Sequence, residues 1–146
     1  MPSARALAAP ILLVACTPAA QPAAAPTAAA PSQAAVTLLL RASTTVTDQP
    51  LALPDGPWEV AVFASELPPG GMLPMHKHPW PRYAYVERGR LRVRYEAAGL
   101  VREFGPGEAV VEAVDQWHEG EAIGPDPVRL IVLDQLPPGA VNVVRR

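Results

Sequence analysis

Apolar and polar positions alternate most cleanly in Arg90-Leu-Arg-Val-Arg-Tyr95, where Leu91, Val93 and Tyr95 fall on one side and three arginines on the other. Successive side chains of an extended chain point to opposite faces, so this stretch predicts a half-buried strand with a solvated arginine face. Trp58–Ala64, Tyr83–Val86, Leu100–Phe104, Ala109–Val114 and Val128–Asp134 are further short strand candidates. The runs Val36–Arg41 and Ser43–Thr47 are also rich in strand formers. Turn chemistry separates these runs: Pro54-Asp-Gly-Pro57, Pro68-Pro-Gly-Gly71, Glu87-Arg-Gly89, Gly105-Pro-Gly107, Gly124-Pro-Asp-Pro127 and Pro137-Pro-Gly139. No helical periodicity of useful length and no internal repeat is present. Short strands at this spacing predict an all-β sandwich or barrel.

The first thirty-five positions follow a different pattern. Residues 1–15 open with Arg5 and continue into an apolar run, Ala6–Ala15, too short to span a bilayer. A charged start, a short apolar core and small residues together read as a secretory signal peptide. Residues 17–35 are a proline–alanine tract without charge or large apolar side chains, which predicts a disordered, partly polyproline linker. Cys16 between them is the single cysteine of the chain, so an intramolecular disulfide, a thiolate nucleophile and a thiolate metal ligand in the domain are all excluded. Leu13-Val14-Ala15-Cys16 resembles the lipobox of bacterial lipoproteins. That resemblance implies cleavage before Cys16, its acylation, and a lipid anchor holding residues 36–146 at the periplasmic face of the cell envelope. Thr17, where an aspartate would favour inner-membrane retention, implies the outer membrane. The alternative is an ordinary signal peptide that contains a cysteine.

A length of 146 residues suits one folded domain after the leader and linker. The formal charge is −2 and the twelve basic residues are scattered, so no basic patch of the kind nucleic acid requires is present.

The chain holds three histidines. His76 and His78 lie one residue apart, so in a strand both imidazoles project from one face, at a spacing that neighbouring ligands of one ion can use. His118 follows a second glycine-bounded apolar run. A fold that returns His118 beside the pair makes a three-nitrogen site and leaves no histidine elsewhere.

This arrangement resembles the cupins, small β-barrels of the jelly-roll or double-stranded β-helix type. Gly70, His76, His78 and Gly89 fall on the spacings of the first cupin motif, and Gly107 and His118 on those of the second. The resemblance covers about Thr37 to Leu136 and implies that His76, His78 and His118 bind one divalent transition metal: iron, manganese, nickel, copper or zinc. Arg82 stands where the motif has its glutamate ligand, and Ala113, Asp115 and Ala122 replace a proline, a glycine and an asparagine. An arginine has no lone pair for a metal. It raises the charge of the site by two units relative to a glutamate-bearing homologue, which favours an anionic substrate.

Strand parity sets Arg82 with Ala84 and Val86 on the inward face, although its stem is long enough to carry the guanidinium to solvent instead. Trp80 and Trp117 flank candidate ligands and are candidates for a substrate-pocket wall, Trp117 rather for the core. Glu112, Asp115 and Glu119 are candidates for orienting an imidazole, though solvated loop carboxylates are the commoner case. Three classes of function stay open. The domain is a metal-dependent, dioxygenase-like enzyme acting on a small anionic substrate, or a non-catalytic envelope module binding metal or a small ligand, or a metal-free structural barrel. The expected partners are a small molecule and the membrane, with room for a homodimer.

Overall fold

The computed structural model describes residues 33–53 and 55–146. The leader, Cys16 and most of the proline–alanine tract lie outside the described residues. Residues 36–146 make one compact unit.

Nine strands follow one another among the described residues: β1 (Glu59–Leu67), β2 (Met72–Lys77), β3 (Arg82–Arg88), β4 (Arg90–Tyr95), β5 (Leu100–Phe104), β6 (Ala109–Val111), β7 (His118–Ile123), β8 (Val128–Leu136) and β9 (Val144–Arg145). They form two antiparallel sheets, one ordered β1-β8-β3-β6 and the other β5-β4-β7-β2-β9. This is the all-β architecture expected from the spacing of the strands, in the jelly-roll-like form that the cupin resemblance implied.

Alternation decides what each strand buries. In β8 every second residue is buried, from Val128 through Leu130, Val132 and Asp134 to Leu136. In β4 Leu91, Val93 and Tyr95 are buried while the arginines face out. Inner faces of both sheets share one core, to which β3 gives Ala84 and Val86, β8 Val128, Leu130 and Val132, and β4 Leu91, Val93 and Tyr95. The outer arginines pair with carboxylates across the sheet, Arg92 with Glu103 at 2.8 Å and Arg94 with Glu119 at 3.0 Å. Exposed pairs of this kind contribute little stability. They account for the arginine row without an anion site.

Two of the strand-rich runs do not become strands. Val36–Arg41 is irregular and exposed, with Leu38 67% accessible. β-propensity is realised only where a neighbouring strand and a buried face are available, and among the described residues neither is offered to this run. Ser43–Thr47 instead enters a closed loop: Thr44 bridges Pro50, and the Thr45 N–H donates to the Gln49 carbonyl at 2.8 Å. The Ala109–Val114 run is a strand only to Val111.

The turns bring the sheets together at fixed points. Gly89, between β3 and β4, has φ +77°, and a Cβ there would lie 2.5 Å from the Pro127 carbonyl oxygen. Only glycine combines that left-handed conformation with so close a backbone approach. Asp115, where the cupin motif has a glycine, also sits at positive φ, +54°. Aspartate is among the few residues that tolerate this region, and its carboxylate reaches Lys77 at 2.6 Å.

Candidate metal centre

β2 and β7 are neighbours, and their register slips between Leu73 and His76 so that His76 comes to stand opposite His118. Pro74 lies inside the slip, where a residue without an N–H is tolerated. His78 follows β2 by one residue and bridges Val114. Because His76 and His78 are separated by one residue of extended chain, both turn inward, and all three histidines are buried. Their ring centroids are 4.4 to 4.9 Å apart.

Each imidazole is held by its Nδ1. That atom lies 2.6 Å from the Pro74 carbonyl oxygen in His76, 2.7 Å from that of Asn142 in His78 and 2.8 Å from that of Gln116 in His118. A carbonyl oxygen can only accept, so Nδ1 carries a proton in all three rings, and in the neutral ring Nε2 keeps its lone pair. One nitrogen from each ring lies within 4.8 Å of the others, close to the span that ligands about 2.1 Å from a shared ion can cover. The donor set fits a divalent transition ion: three neutral imidazoles, oriented by backbone acceptors, in a buried site. Burial lowers the proton affinity of His76 and brings His78 down to about 4, which keeps their lone pairs available.

The second sheet brings charged groups to the same place. Arg82, at the start of β3, points inward and makes two bonds to Asp134 of β8, Nε–H to Oδ1 at 2.6 Å and Nη2–H to Oδ2 at 2.7 Å. Its remaining nitrogen, Nη1, comes to 3.4 Å from His78 Nε2. Asp134 takes up the single charge that Arg82 brings, so it offsets one of the two units by which an arginine at this position raises the site's charge. Glu112, just past β6, is not a solvated loop carboxylate: its side chain is 13% exposed, and Oε2 stands 3.2 Å from His118 Nε2 and 4.0 Å from His78 Nε2. Burial pushes the Glu112 carboxyl up, but His118, His78 and Arg82 outweigh it and hold it at about 2. Burial lowers His118 in turn, and the Glu112 carboxylate outweighs that, raising it above its ordinary value.

A cavity of about 640 Å³ opens on these groups. His76, Arg82, Glu112, Asp134 and Asn142 line its polar end, and Phe63, Leu73, Leu130, Val132, Leu136 and Val141 contribute to its apolar wall. Trp80 does not line the cavity; its backbone N–H donates to Asn142 Oδ1 at 2.9 Å. Trp117 is half-buried rather than core, between Lys77 and Arg146, whose cationic groups lie 5.2 and 5.3 Å from its ring centre. Asp115 and Glu119 pair outward with Lys77 and Arg94. Asp134 and Asn142 were not singled out by the sequence. Asp134 carried a signal, an acid at an inward position of the alternating β8; Asn142, in an irregular segment, carried none.

Comparison with known proteins agrees with this architecture. Residues 63–134 match the Cupin domain model. The fold is the cupin fold. Among solved structures, the chain is similar to BH2720 of Bacillus halodurans at 20% identity and a TM-score of 0.51, over 59% of this chain and 69% of that one. It is similar to the polyketide cyclase RemF of Streptomyces resistomycificus at 30% identity and 0.50, over 64% of this chain and 66% of that one. It also resembles a recombinant oxalate oxidase solved with glycolate, at 23% identity and 0.50, where it spans 45% of that chain. No curated protein matches the sequence.

Proposed function

We propose that the chain is an envelope-anchored cupin that binds one divalent transition metal through His76, His78 and His118 and acts as a metal-dependent, dioxygenase-like enzyme on a small anionic substrate. The observation that carries this reading is the set of three Nδ1–H groups pinned to the Pro74, Asn142 and Gln116 carbonyls, which leaves Nε2 of each neutral ring as the donor atom, in three rings that each place one nitrogen within 4.8 Å of the others. A bound ion supplies Lewis acidity and open positions for an oxygen ligand. The chain's own residues supply the rest. Arg82 and Asp134 cancel, Glu112 offsets one charge of a divalent ion, and a single positive charge remains to favour an anion. Nη1 of Arg82, outside the Asp134 bonds, is a donor for that anion. The apolar wall formed by residues such as Phe63, Leu130 and Val132 suits a carbon body behind the anionic head. Similarity to a polyketide cyclase at 30% identity supports a ligand of that kind, a carbon skeleton bearing oxygen functions.

The lipobox-like Leu13-Val14-Ala15-Cys16 supports the anchor. To test the site, the protein is loaded separately with iron(II), manganese, nickel, copper and zinc, and its metal content is measured. Oxygen uptake is then followed with small carboxylates and hydroxylated aromatic acids. About one ion per chain with oxygen uptake for some acid is expected; a chain that stays empty with every ion overturns the reading.

A further inference from the structure

Two buried acceptors face each other in this site. In its neutral form the His118 ring keeps a lone pair on Nε2, because Nδ1–H donates to the Gln116 carbonyl, and Glu112 Oε2 is an oxygen acceptor. They stand 3.2 Å apart, yet neither has a hydrogen-bond partner. Oε2 therefore lies off the axis along which a proton on Nε2 would be donated. Buried polar atoms without partners are costly, and two acceptors at this distance repel unless a cation is shared between them. Two ligand atoms bound at right angles about 2.1 Å from one ion lie about 3 Å apart, which is the separation of Oε2 and Nε2.

The carboxylate is placed there by the backbone. The Glu112 N–H donates to the Arg82 carbonyl at 2.9 Å, continuing the pairing of β6 with β3 beyond Val111. Two residues on, Val114 bridges His78, and the Gln49 side chain grips both its N–H and its carbonyl, at 2.9 and 2.8 Å. Glu112 is thus fixed from both ends, and its side chain lines the cavity.

We propose that Glu112 is a direct metal ligand, a carboxylate from the second sheet that completes the coordination set begun by His76, His78 and His118 on the first. This rests on the three-histidine reading and adds a fourth donor to it. An anionic fourth donor favours harder ions, iron(II) or manganese, over copper(I).

The test is cobalt(II) binding by the wild-type protein, Glu112→Gln and Glu112→Ala, each first shown by circular dichroism to be folded without metal. Affinity is read by competition with a chelator, and coordination by the visible cobalt absorption. Wild type is expected to bind one ion, and both variants about tenfold or more weaker with an altered spectrum. Folded variants with wild-type affinity overturn the proposal and leave the three-histidine site standing. Weaker binding with an unchanged spectrum also overturns it, because Glu112 would then act only through His118. If wild type itself binds nothing, the three-histidine reading falls, and this proposal with it.

Discussion

His76 and His118 are register partners on neighbouring antiparallel strands, with ring centroids 4.4 Å apart. Both belong to the sheet that holds β4 and β7, whose core contacts do not depend on an ion. His118→Ala is therefore expected to lower affinity for zinc or iron(II) by more than about 100-fold while the metal-free barrel stays folded. In wild type, metal at 100 times its Kd raises stability by about 2.7 kcal/mol. Thermal melts with and without ion should show that gain in wild type and none in His118→Ala.

Acid should destabilise the metal-free protein. His78 has a folded pKa of about 4, below its ordinary 6.5, because burial disfavours the charged ring, and His76 is lowered for the same reason. Between these values the unfolded chain binds more protons, so their stabilisation is full above pH 6.5 and declines toward pH 4. His118, raised by Glu112, acts oppositely, and its contribution is lost as pH rises through its folded value. The shift of His78 is the large one among the three, and it sets the sign. Urea denaturation of the metal-free protein should give a stability at pH 4.5 lower by about 1–3 kcal/mol than at pH 7.5. Equal or greater stability at pH 4.5 contradicts the assignment.

Asp134 is 2% exposed and takes both Nε–H and Nη2–H of Arg82. Asp134→Ala leaves a guanidinium buried without its partner, which is expected to cost about 3–5 kcal/mol. Arg82→Met with Asp134→Leu removes both charges and should recover most of that loss. Urea midpoints of the single and double variants measure it, and an additive double variant would show that the pair is not coupled.

At Gly89 any side chain meets the Pro127 carbonyl. Gly89→Ala should destabilise by more than the roughly 1–2 kcal/mol of left-handed strain alone, because the two turns must also separate. A melting temperature within about a degree of wild type would disprove that close approach in solution.

For the anchor, the mature protein recovered from a bacterial envelope should begin at Cys16 and carry acyl chains. Each buried methylene contributes about 0.8 kcal/mol, so several chains hold the protein stably. Intact mass spectrometry decides it, and an unmodified N-terminus at another residue excludes lipidation.

Much of the nitrogen half of the site was legible because it depends on local parity: two inward positions one residue apart, and a third histidine on a strand the fold returns. β4 and β5 were legible for the same reason, since Arg90–Tyr95 and Leu100–Phe104 are bounded by turns and alternate or favour strands. The oxygen half depends on contacts between distant segments. Glu112 is buried because the chain after β6 keeps a bond to Arg82, thirty positions earlier, and nothing beside it in sequence distinguishes it from Glu119. Val36–Arg41 misled in the opposite direction, its local preference for strand finding no neighbour among the described residues to pair with.

The division of the site between the sheets makes the interior a spacer. Three nitrogens ride on one layer, and Arg82, Glu112 and Asp134 on the other. The gap between them is set by side chains such as Leu91, Val93, Leu130 and Val132, packed at crystal-like density. A methylene added or removed there, out of reach of any ligand, widens or narrows the aperture between nitrogen and oxygen. Core volume in this protein is therefore also a setting for the distance at which the two layers face each other across the proposed centre.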